Sequence, residues 1–396
     1  MDDFREERRR PRRRLSKREI EERKKKRKKK LFFRRAGILL AAALIIFLFI
    51  VLIVKAIQAI TAPDPNKATA DEAISETATE TPVALSFKTP SIPDDKKTSG
   101  HYSEALGAVY IYNNMALDTF SGDELSAKNY ADTISEFKGK APSITVYNMV
   151  VPSHIEFSLP KRLIDSGEVK TNSQSENIKH IYENYSADVK PINCYNALSE
   201  HASDYIFFNT DLQLTGLGGY YAYQAFAQQS NQRTLNLSVC TEHVIDTYTG
   251  SLSYTDDSVS SHPDSVHFWT FPYNTYAERY EEVQGEPSTL PIYYEDESSG
   301  ELAYGVFIWG DCPLFVEHNE DIDTDKKIAV VKESTSNPFV SYLTADYKEV
   351  HIIDYRYFTG SLKQYCQKNE IDEVLFVNSI TSANNAESLS LIRAIF

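Results

Sequence analysis

Cysteine is scarce in this sequence, and the few cysteines lie far apart. The 396 residues contain four of them: Cys194, Cys240, Cys312 and Cys366. No two form a Cys-x-x-Cys pair, so the spacing argues against a zinc cluster. One or two disulfides outside the cell and buried free thiols are both compatible with it, and the sequence does not assign pairs. We expect no metal and no other cofactor.

Lys and Arg are sparse outside the N-terminus, where they dominate. Residues 1–35 contain 19 Lys/Arg and 7 Asp/Glu, a net charge of +12, while the whole chain carries -14, which leaves -26 for residues 36–396. An acidic body is a poor nucleic-acid binder, so we predict no nucleic-acid partner. The basic tail is better interpreted as a solvated segment held near anionic lipid than as a nucleic-acid arm.

The sequence has only one long apolar run, "AGILLAAALIIFLFIVLIV" from Ala36 to Val54, which contains no charged residue. An apolar helix of about 20 residues spans a bilayer. We therefore predict a transmembrane helix over 36–57, and the flanking basic residues indicate that residues 1–35 are a cytoplasmic tail. A cleaved signal peptide is the alternative, but its apolar region is usually about 7–15 residues long. The expected localisation is the cell membrane, single-pass, with the main domain extracellular.

The remainder divides into a polar linker and a structured domain. Residues 58–100 are rich in Ala, Thr, Pro, Ser, Asp and Lys without an apolar period, which predicts a flexible stalk. Over 101–396 helical patterns alternate with apolar runs, including "YIFFN", "IAVV", "VHII" and "VLFV". This alternation predicts an α/β domain with a mostly parallel sheet. "AYGVFIWGDCPLFVEHN" suggests paired strands, and 230–300 suggests a β-rich insertion that borders the cleft.

Two loops follow apolar runs where a ligand would bind an open α/β sheet, beyond the carboxyl ends of the strands. The first is "NTDLQLTGLGG", in which Thr215 can cap the next helix. The second is "KESTSNP", which places Ser334 between a strand and a helix, with Asn337 as a side-chain donor. Ser and Asn are also ordinary helix-capping residues, and taken alone the second loop fits that interpretation better.

Several blocks of the body resemble the DHHW family of membrane-anchored proteins of Gram-positive bacteria, which is similar to SGNH-type O-acetyltransferases of extracellular polysaccharides. The blocks run from about 105 to 380 and include "VYIYNNMALDTF", "VYNMVVPSHIEFSLP", "GDCPLFVEHN", "KESTSNPFVSYL" and "IDEVLFVNS". The resemblance implies an SGNH/flavodoxin-like three-layer sandwich over 101–396, with the insertion at about 230–300.

The resemblance also assigns roles to both loops. Where the family reads Thr-Asp-His-His-Trp-Thr, this chain has "TDLQLT" from Thr210 to Thr215. Asp211 would be the residue that orients a catalytic histidine, and Gln213 occupies that histidine's place. Where the family reads Lys-Asp-Ser-Tyr-Gly-Asn, the chain has "KESTSN". Ser334 then takes the nucleophile position and Asn337 that of an oxyanion donor, while Lys332 and Thr210 are candidate binding residues.

Serine is a weak nucleophile until a base takes its proton, and a neutral amide at Gln213 cannot do so. His154, His262 and His267 are the replacements considered, although each is better interpreted as an ordinary surface or hydrogen-bonded histidine. The segment "DIDTDKK" from Asp321 lacks the glycine and distal Glu of a calcium loop, so a polar turn is preferred.

Two functions remain open. The first is a catalytically impaired relative of the O-acetyltransferases that binds cell-surface polysaccharide or envelope proteins and supports envelope or exopolysaccharide assembly. The second is an active serine-dependent polysaccharide O-acetyltransferase or acetylesterase that uses Ser334 with Asp211 and another base. The loss of both histidines favours the first.

Overall fold

A computed structural model describes residues 85–294 and 300–396. The predicted tail (1–35), the predicted span (36–57) and most of the predicted stalk lie outside these residues. Within the described part of the chain, no helix is long and apolar enough to cross a membrane.

The described residues form strands and helices that alternate along much of the chain. The strands are β1 His101–Tyr102, β2 Val109–Tyr112, β3 Met115–Asp118, β4 Thr145–Val151, β5 Val189–Ile192, β6 Thr241–Tyr248, β7 Asp264–Thr270, β8 Thr275–Tyr280, β9 Ser288–Leu290, β10 Leu314–Asn319, β11 Lys327–Lys332, β12 Glu349–Asp354 and β13 Glu373–Ser379. The helices are α1 Glu124–Lys140, α2 Ile155–Ser158, α3 Lys161–Asp165, α4 Gln174–Glu183, α5 Tyr195–Glu200, α6 Gly216–Gln229, α7 Asp257–Ser260, α8 Asn337–Val340, α9 Leu362–Lys368, α10 Ile380–Ala383 and α11 Ala386–Ala394.

Eight strands form the central sheet in the order β5-β4-β13-β11-β12-β10-β8-β9. The first five are parallel, and β10, β8 and β9 continue the sheet antiparallel. The predicted α/β class with a large central sheet is confirmed. The three apolar runs at its centre are β11, β12 and β13, which are buried along almost their whole length, as continuous hydrophobic strands should be.

Helices cover both faces of this sheet. On one face, Phe376 of β13 contacts Phe137 of α1 with ring centroids 5.3 Å apart. On the other face, Tyr147 of β4 contacts Phe226 of α6 at 5.4 Å. Helix α6 begins where Thr215 accepts a hydrogen bond from the backbone N–H of Gly218, which confirms the predicted cap.

Two predicted strands are wrong. "YIFFN" makes only an isolated bridge, between Phe207 and Leu214, because the chain turns back at once and Phe208 N–H bonds the carbonyl of Gln213. The first four residues of "AYGVFIWGDCPLFVEHN", 303–306, lie in a 3-10 helix, Gly300–Val306, rather than in a strand. A turn with positive φ at Ile308, Trp309 and Gly310 then leads toward β10.

The described part of the predicted insertion at 230–300 contains four strands, which are divided between two sheets. Strands β6 and β7 pair with each other in a separate two-stranded sheet, while β8 and β9 extend the central sheet at its edge. The insertion is therefore partly an extension of the main sheet.

The last part of the predicted stalk contacts the domain in two places. Near its start, the ring of Phe87 meets Tyr195 of α5 at a centroid distance of 5.3 Å. Near its end, the guanidinium of Arg162 binds the Asp94 carboxylate at 2.8 Å and the carbonyl of Thr98. Residues 87–98 thus form a strap that is held at both ends, which we call the N-terminal strap.

Candidate functional site

Ser334 lies at the carboxyl end of the central strand β11. The strand ends at Lys332, and a 3-10 turn over Ser334–Ser336 leads directly into α8. The carboxylate of Glu333 accepts hydrogen bonds from Asn378 Nδ2 and from the backbone N–H of Ser379, which ties this loop to β13. Ser334 itself is only half-buried, so its hydroxyl lies near the protein surface.

The Ser334 hydroxyl contacts a carboxylate and a guanidinium at the same time. Its Oγ donates to Asp311 Oδ2 at 2.6 Å and accepts from Arg356 Nη2 at 3.0 Å. Arg356 follows β12 by two residues, so it lies beyond the carboxyl end of a strand, where ligands bind open α/β sheets. Asp311 precedes β10, and because β10 is antiparallel its start lies at the same edge. Sequence reasoning missed both residues.

A buried lysine completes this charged cluster. Lys332, only 1% exposed, donates from Nζ to Asp311 Oδ1 at 3.0 Å, Asp354 Oδ2 at 3.2 Å and Asn337 Oδ1 at 2.8 Å. Strand register explains the proximity, since Lys332 and Asp354 are paired at the ends of β11 and β12. Arg356 binds both Asp354 and Asp311.

These contacts set the charge of Asp311. Burial would raise the pKa of its carboxyl, but Lys332, the Ser334 hydroxyl and Arg356 outweigh burial and hold the pKa well below its usual value. For Arg356 the two effects are reversed. Burial alone would lower the pKa of its guanidinium, but the carboxylates of Asp354 and Asp311 outweigh burial and raise the pKa. The partner of the Ser334 proton is therefore a strongly stabilised carboxylate, which is a weak base.

Asn337 is turned into the same cluster. Its carbonyl oxygen accepts from Lys332, and its amide Nδ2 donates to Asp311 Oδ1 at 3.1 Å. The side chain is 1% exposed. The structure thus brings Ser334, Lys332 and Asn337 together, but the amide predicted to stabilise an oxyanion is bound to a carboxylate.

Asp211 is buried on the first predicted loop, and donors already occupy both of its oxygens. Oδ1 accepts from the backbone N–H of Leu212 at 2.6 Å and from Ser251 Oγ at 2.9 Å. Oδ2 accepts from the Tyr248 hydroxyl and from the backbone N–H of Ser251 at 3.0 Å. A carboxylate offers about four acceptor positions. The position from which a histidine would be oriented is therefore filled by the chain itself.

Gln213 and Thr210 do not extend into an open cleft. The side-chain oxygen of Gln213 is buried and has no hydrogen-bond partner among the described residues. Thr210, fully buried, donates from Oγ1 to Asp264 Oδ2 at 2.6 Å and accepts from Gly250 N–H at 2.8 Å. Its contacts fasten the loop to β7.

Two tyrosines connect the predicted loops. The ring of Tyr248, whose hydroxyl binds Asp211, stacks on Tyr304 with a centroid distance of 6.3 Å. Tyr304 in turn donates its hydroxyl proton to the carbonyl of Ser334 at 2.5 Å. Asp211, Tyr248, Tyr304 and Ser334 thus form a continuous row, which we call the tyrosine row. The pattern of apolar and polar residues gave no signal for either tyrosine.

The three histidines considered as alternative bases each have other surroundings. His154 stacks on Phe207 at 5.3 Å, and burial lowers its pKa to about 4 despite a hydrogen bond to the backbone of Phe208. His262 contacts the carbonyl of Ser258, and His267 contacts Glu242. No contact between these imidazoles and Ser334 occurs among the described residues.

The acidic turn considered as a calcium loop links β10 to β11. There, Asp321 accepts a hydrogen bond from the backbone N–H of Asn274 at 2.8 Å. Across residues 85–294 and 300–396, no group of three or more His, Cys, Asp or Glu side chains could hold a metal ion.

Comparisons with solved structures show where this fold recurs. A DHHW family protein from Eubacterium siraeum is 23% identical, covers 74% of this chain and 98% of its own, and has a TM-score of 0.66. PatB1 of Bacillus cereus with a sulfonyl adduct is 20% identical, covers 72% of this chain and 97% of its own, and has a TM-score of 0.58. A second structure of PatB1, described without that adduct, is 21% identical, covers 71% of this chain and 98% of its own, and has a TM-score of 0.57. At such identities the likeness concerns the fold.

The comparison with curated proteins and the comparison with family models gave different results. No curated protein matches the chain. The family model described as "DHHW protein" matches residues 90–353, which is more than half of the chain. This protein belongs to the DHHW family.

Proposed function

We propose that this protein is a catalytically silent member of its family, anchored in the cell membrane through residues 36–57, whose extracytoplasmic domain binds polysaccharide or protein in envelope or exopolysaccharide assembly. One observation carries the loss of catalysis. The Ser334 hydroxyl lies between the Asp311 carboxylate and the Arg356 guanidinium, and no imidazole contacts it within the described structure.

The charged cluster opposes activation of the serine. A general base works best when its pKa lies near the operating pH, and that of Asp311 is held far below it. Arg356 also donates to the oxygen that would attack the substrate, which disfavours attack further. Loss of a general base alone costs about 10²–10⁴-fold in rate.

The state of Asp211 supports the same proposal. If the histidine had been lost without any other change, the Asp211 carboxylate would retain a free acceptor position. Instead, Tyr248 and Ser251 supply three donors in addition to the backbone N–H of Leu212. The loop has therefore been rebuilt around a buried acid that serves the fold.

A second candidate function is an active serine-dependent O-acetyltransferase or acetylesterase. It is favoured by the half-exposed position of Ser334 and by the 2.6 Å distance from its Oγ to Asp311 Oδ2, which is short enough for direct proton transfer. In this alternative Asp311 takes the role of the missing histidine.

The two functions differ in the reactivity of one hydroxyl. The full chain, held in neutral detergent, is treated with a fluorescent fluorophosphonate beside the Ser334→Ala variant and an active serine esterase as the positive control. We expect labelling of the esterase alone. Strong labelling of the chain that disappears in Ser334→Ala would sink the silent-enzyme proposal.

The membrane and ligand parts need separate tests. We expect the full chain to sediment with membranes and a variant without residues 36–57 to remain in the supernatant. Purified cell-wall polysaccharide should co-precipitate the chain, with dextran as the control. Equal recovery with dextran would remove the polysaccharide from the proposal.

A further inference from the structure

The N-terminal strap lies over a cavity in the domain. The cavity has a volume of about 420 Å³, within the range of about 300–1,000 Å³ that small-molecule sites occupy. Its lining comes from the strap, from α2 and α3, and from the starts of α4 and α5. None of the lining residues belongs to the charged cluster at Ser334 or to the tyrosine row. The cavity is therefore a separate feature of the molecule.

The strap crosses the cavity without hydrogen bonds along its middle. At one end the backbone N–H of Lys88 donates to Asn196 Oδ1 at 2.8 Å, and at the other Arg162 binds the Asp94 carboxylate at 2.8 Å. Between these ties, residues 89–93 make no hydrogen bond within the described structure, and two of the five are prolines, which lack an N–H. No hydrogen bond of this stretch has to break when a ligand enters beneath it.

Apolar side chains form much of the cavity wall. Pro90 and Ile92 contribute from the strap, Ile155 and Leu159 from α2 and its end, and Ile164 from α3. Ile164 is 37% exposed, and it borders the cavity. Water in such a cavity lies against hydrocarbon, so an apolar ligand gains free energy by displacing it.

One carboxylate lies in the cavity without a counter-charge. Burial raises the pKa of the Glu156 carboxyl, although the Tyr195 hydroxyl and the backbone N–H groups of Gln174 and Ser175 oppose the rise. The Tyr195 hydroxyl donates to Glu156 Oε1 at 2.8 Å. No cation pairs with Glu156 in the part of the chain that the structure describes. A carboxylate offers about four acceptor positions, so these three donors leave room for another.

The two lysines that line the cavity each have a carboxylate of their own. Lys88 forms an ion pair with Glu200, and Lys161 Nζ lies 3.2 Å from Asp165 Oδ1. The remaining polar lining, at the start of α4, consists of neutral side chains. A ligand that matches the cavity must therefore bring a positive charge to Glu156 and an apolar body to the surrounding walls.

We propose that the cavity under the N-terminal strap binds a small organic cation, in which a primary ammonium group is attached to an apolar body. The ammonium donates to the Glu156 carboxylate, and the body packs against Ile92 of the strap and Ile164 of α3. The inference goes beyond the proposed function, because the Ser334 region takes no part in it. Since the ligand contacts the strap and the helices together, its binding also stabilises the attachment of the strap to the domain.

The test uses tryptamine, titrated into the full chain in neutral detergent and followed by isothermal titration calorimetry. Tryptophol carries a hydroxyl where tryptamine carries the ammonium, and indole-3-acetate carries a carboxylate, so the three compounds differ chiefly in charge. We expect saturable binding of tryptamine at one site and binding of tryptophol at least about tenfold weaker, because a charge-assisted hydrogen bond is stronger than a neutral one. Indole-3-acetate should not bind.

Paired variants locate the site. Glu156→Gln keeps an acceptor for Tyr195 but removes the charge, and its control Glu176→Gln removes an exposed charge of α4 that does not line the cavity. Ile164→Trp fills the cavity, and its control is Leu391→Trp, because Leu391 is also 37% exposed but lies on α11. We expect Glu156→Gln and Ile164→Trp each to weaken tryptamine binding at least about tenfold, and both controls to leave it unchanged. Circular dichroism melting verifies that all four variants are folded.

Any one of four results would overturn the inference. These are the absence of saturable tryptamine binding, equal affinities for tryptamine and tryptophol, tryptamine binding that Glu156→Gln leaves unchanged, and equal weakening by a variant and its control. Fluorophosphonate labelling of the same samples tests the silent-enzyme proposal independently, since Ser334 does not line the cavity. Unlabelled chain without tryptamine binding removes only the cavity inference, and labelled Ser334 removes only the silent-enzyme proposal.

Discussion

The hydroxyl of Tyr248 donates its proton to the Asp211 carboxylate, at the acceptor where the family resemblance implies a histidine. Burial, reinforced by the neighbouring Asp211, raises the pKa of Tyr248, so the phenol keeps its proton at all physiological pH values. Tyr248 is therefore a permanent donor. A histidine returned to the loop must compete with it.

This competition predicts the behaviour of a restored histidine. In Gln213→His we expect an imidazole without an ion pair, because the Asp211 oxygens are occupied. Adding Tyr248→Phe frees one acceptor position, and pairing with the carboxylate should then raise the pKa of the new histidine by about one unit or more. Proton NMR titration of the imidazole measures both values. Identical titration curves in the single and double variants would contradict the assignment of Tyr248.

The buried lysine should be important for stability. Lys332→Met leaves Asp354, which is fully buried, without its lysine and removes a partner of Asp311. Removing one partner of a buried ion pair costs roughly 3–5 kcal/mol in the free energy of unfolding. Urea denaturation provides the measurement. Lys128→Met is the control, since Lys128 pairs with Asp132 at the surface, where such a pair contributes about 1 kcal/mol or less.

Glu317 should make stability depend on pH. It is fully buried in β10 with one hydrogen bond, from Ser341 Oγ, and burial raises its pKa from 4.5 to about 8. Below pH 4.5 the carboxyl is protonated in both the folded and the unfolded chain. Between about pH 4.5 and 8 only the unfolded chain loses the proton, so this group reduces stability as pH rises, by at most about 1.4 kcal/mol per pH unit.

Glu317→Gln tests this dependence. We expect the variant to gain stability relative to the native chain as pH increases from 5 to 8, and urea denaturation across that range measures the gain. Glu124→Gln, at the exposed start of α1, should follow the native pH dependence. Parallel curves for the native chain and Glu317→Gln would mean that Glu317 ionises normally.

The cysteines give a simple chemical test. All four are free thiols in the structure, with Cys240 half-buried and the other three buried. Denatured chain that was never exposed to reductant should therefore react with four equivalents of a thiol reagent. Two equivalents or none would reveal disulfides.

The sequence contained the information for much of the central sheet. Continuous β-branched runs identify β11 and β12. Because ligands bind beyond the carboxyl ends of parallel strands, the sequence also places Ser334 at the edge of the sheet where β11 ends at Lys332 and β12 ends at Asp354. These features follow from local patterns, because burial on both faces requires an apolar side chain at almost every position.

The partners of the site could not be found in this way. Asp311 reaches Ser334 through a turn of positive φ and an antiparallel strand, neither of which the apolar pattern specifies. Tyr248 lies just after an irregularity in the pairing of β6 with β7, which alters the alternation of faces expected for a regular strand. Long-range register, rather than residue type, selects these contacts.

The N-terminal strap alters the geometry of the proposed anchoring. If residues 36–57 cross the membrane, the chain between them and the domain ends no later than Ser86, whose carbonyl accepts a hydrogen bond from Asn196 of α5, and not at residue 100. A fully extended residue spans about 3.3–3.6 Å, so each residue that the strap holds shortens the maximum reach by that amount. Over 87–100 this brings the outer limit of the domain roughly 45–50 Å closer to the bilayer. Pulling on the tether would load α5 first and the sheet only afterwards.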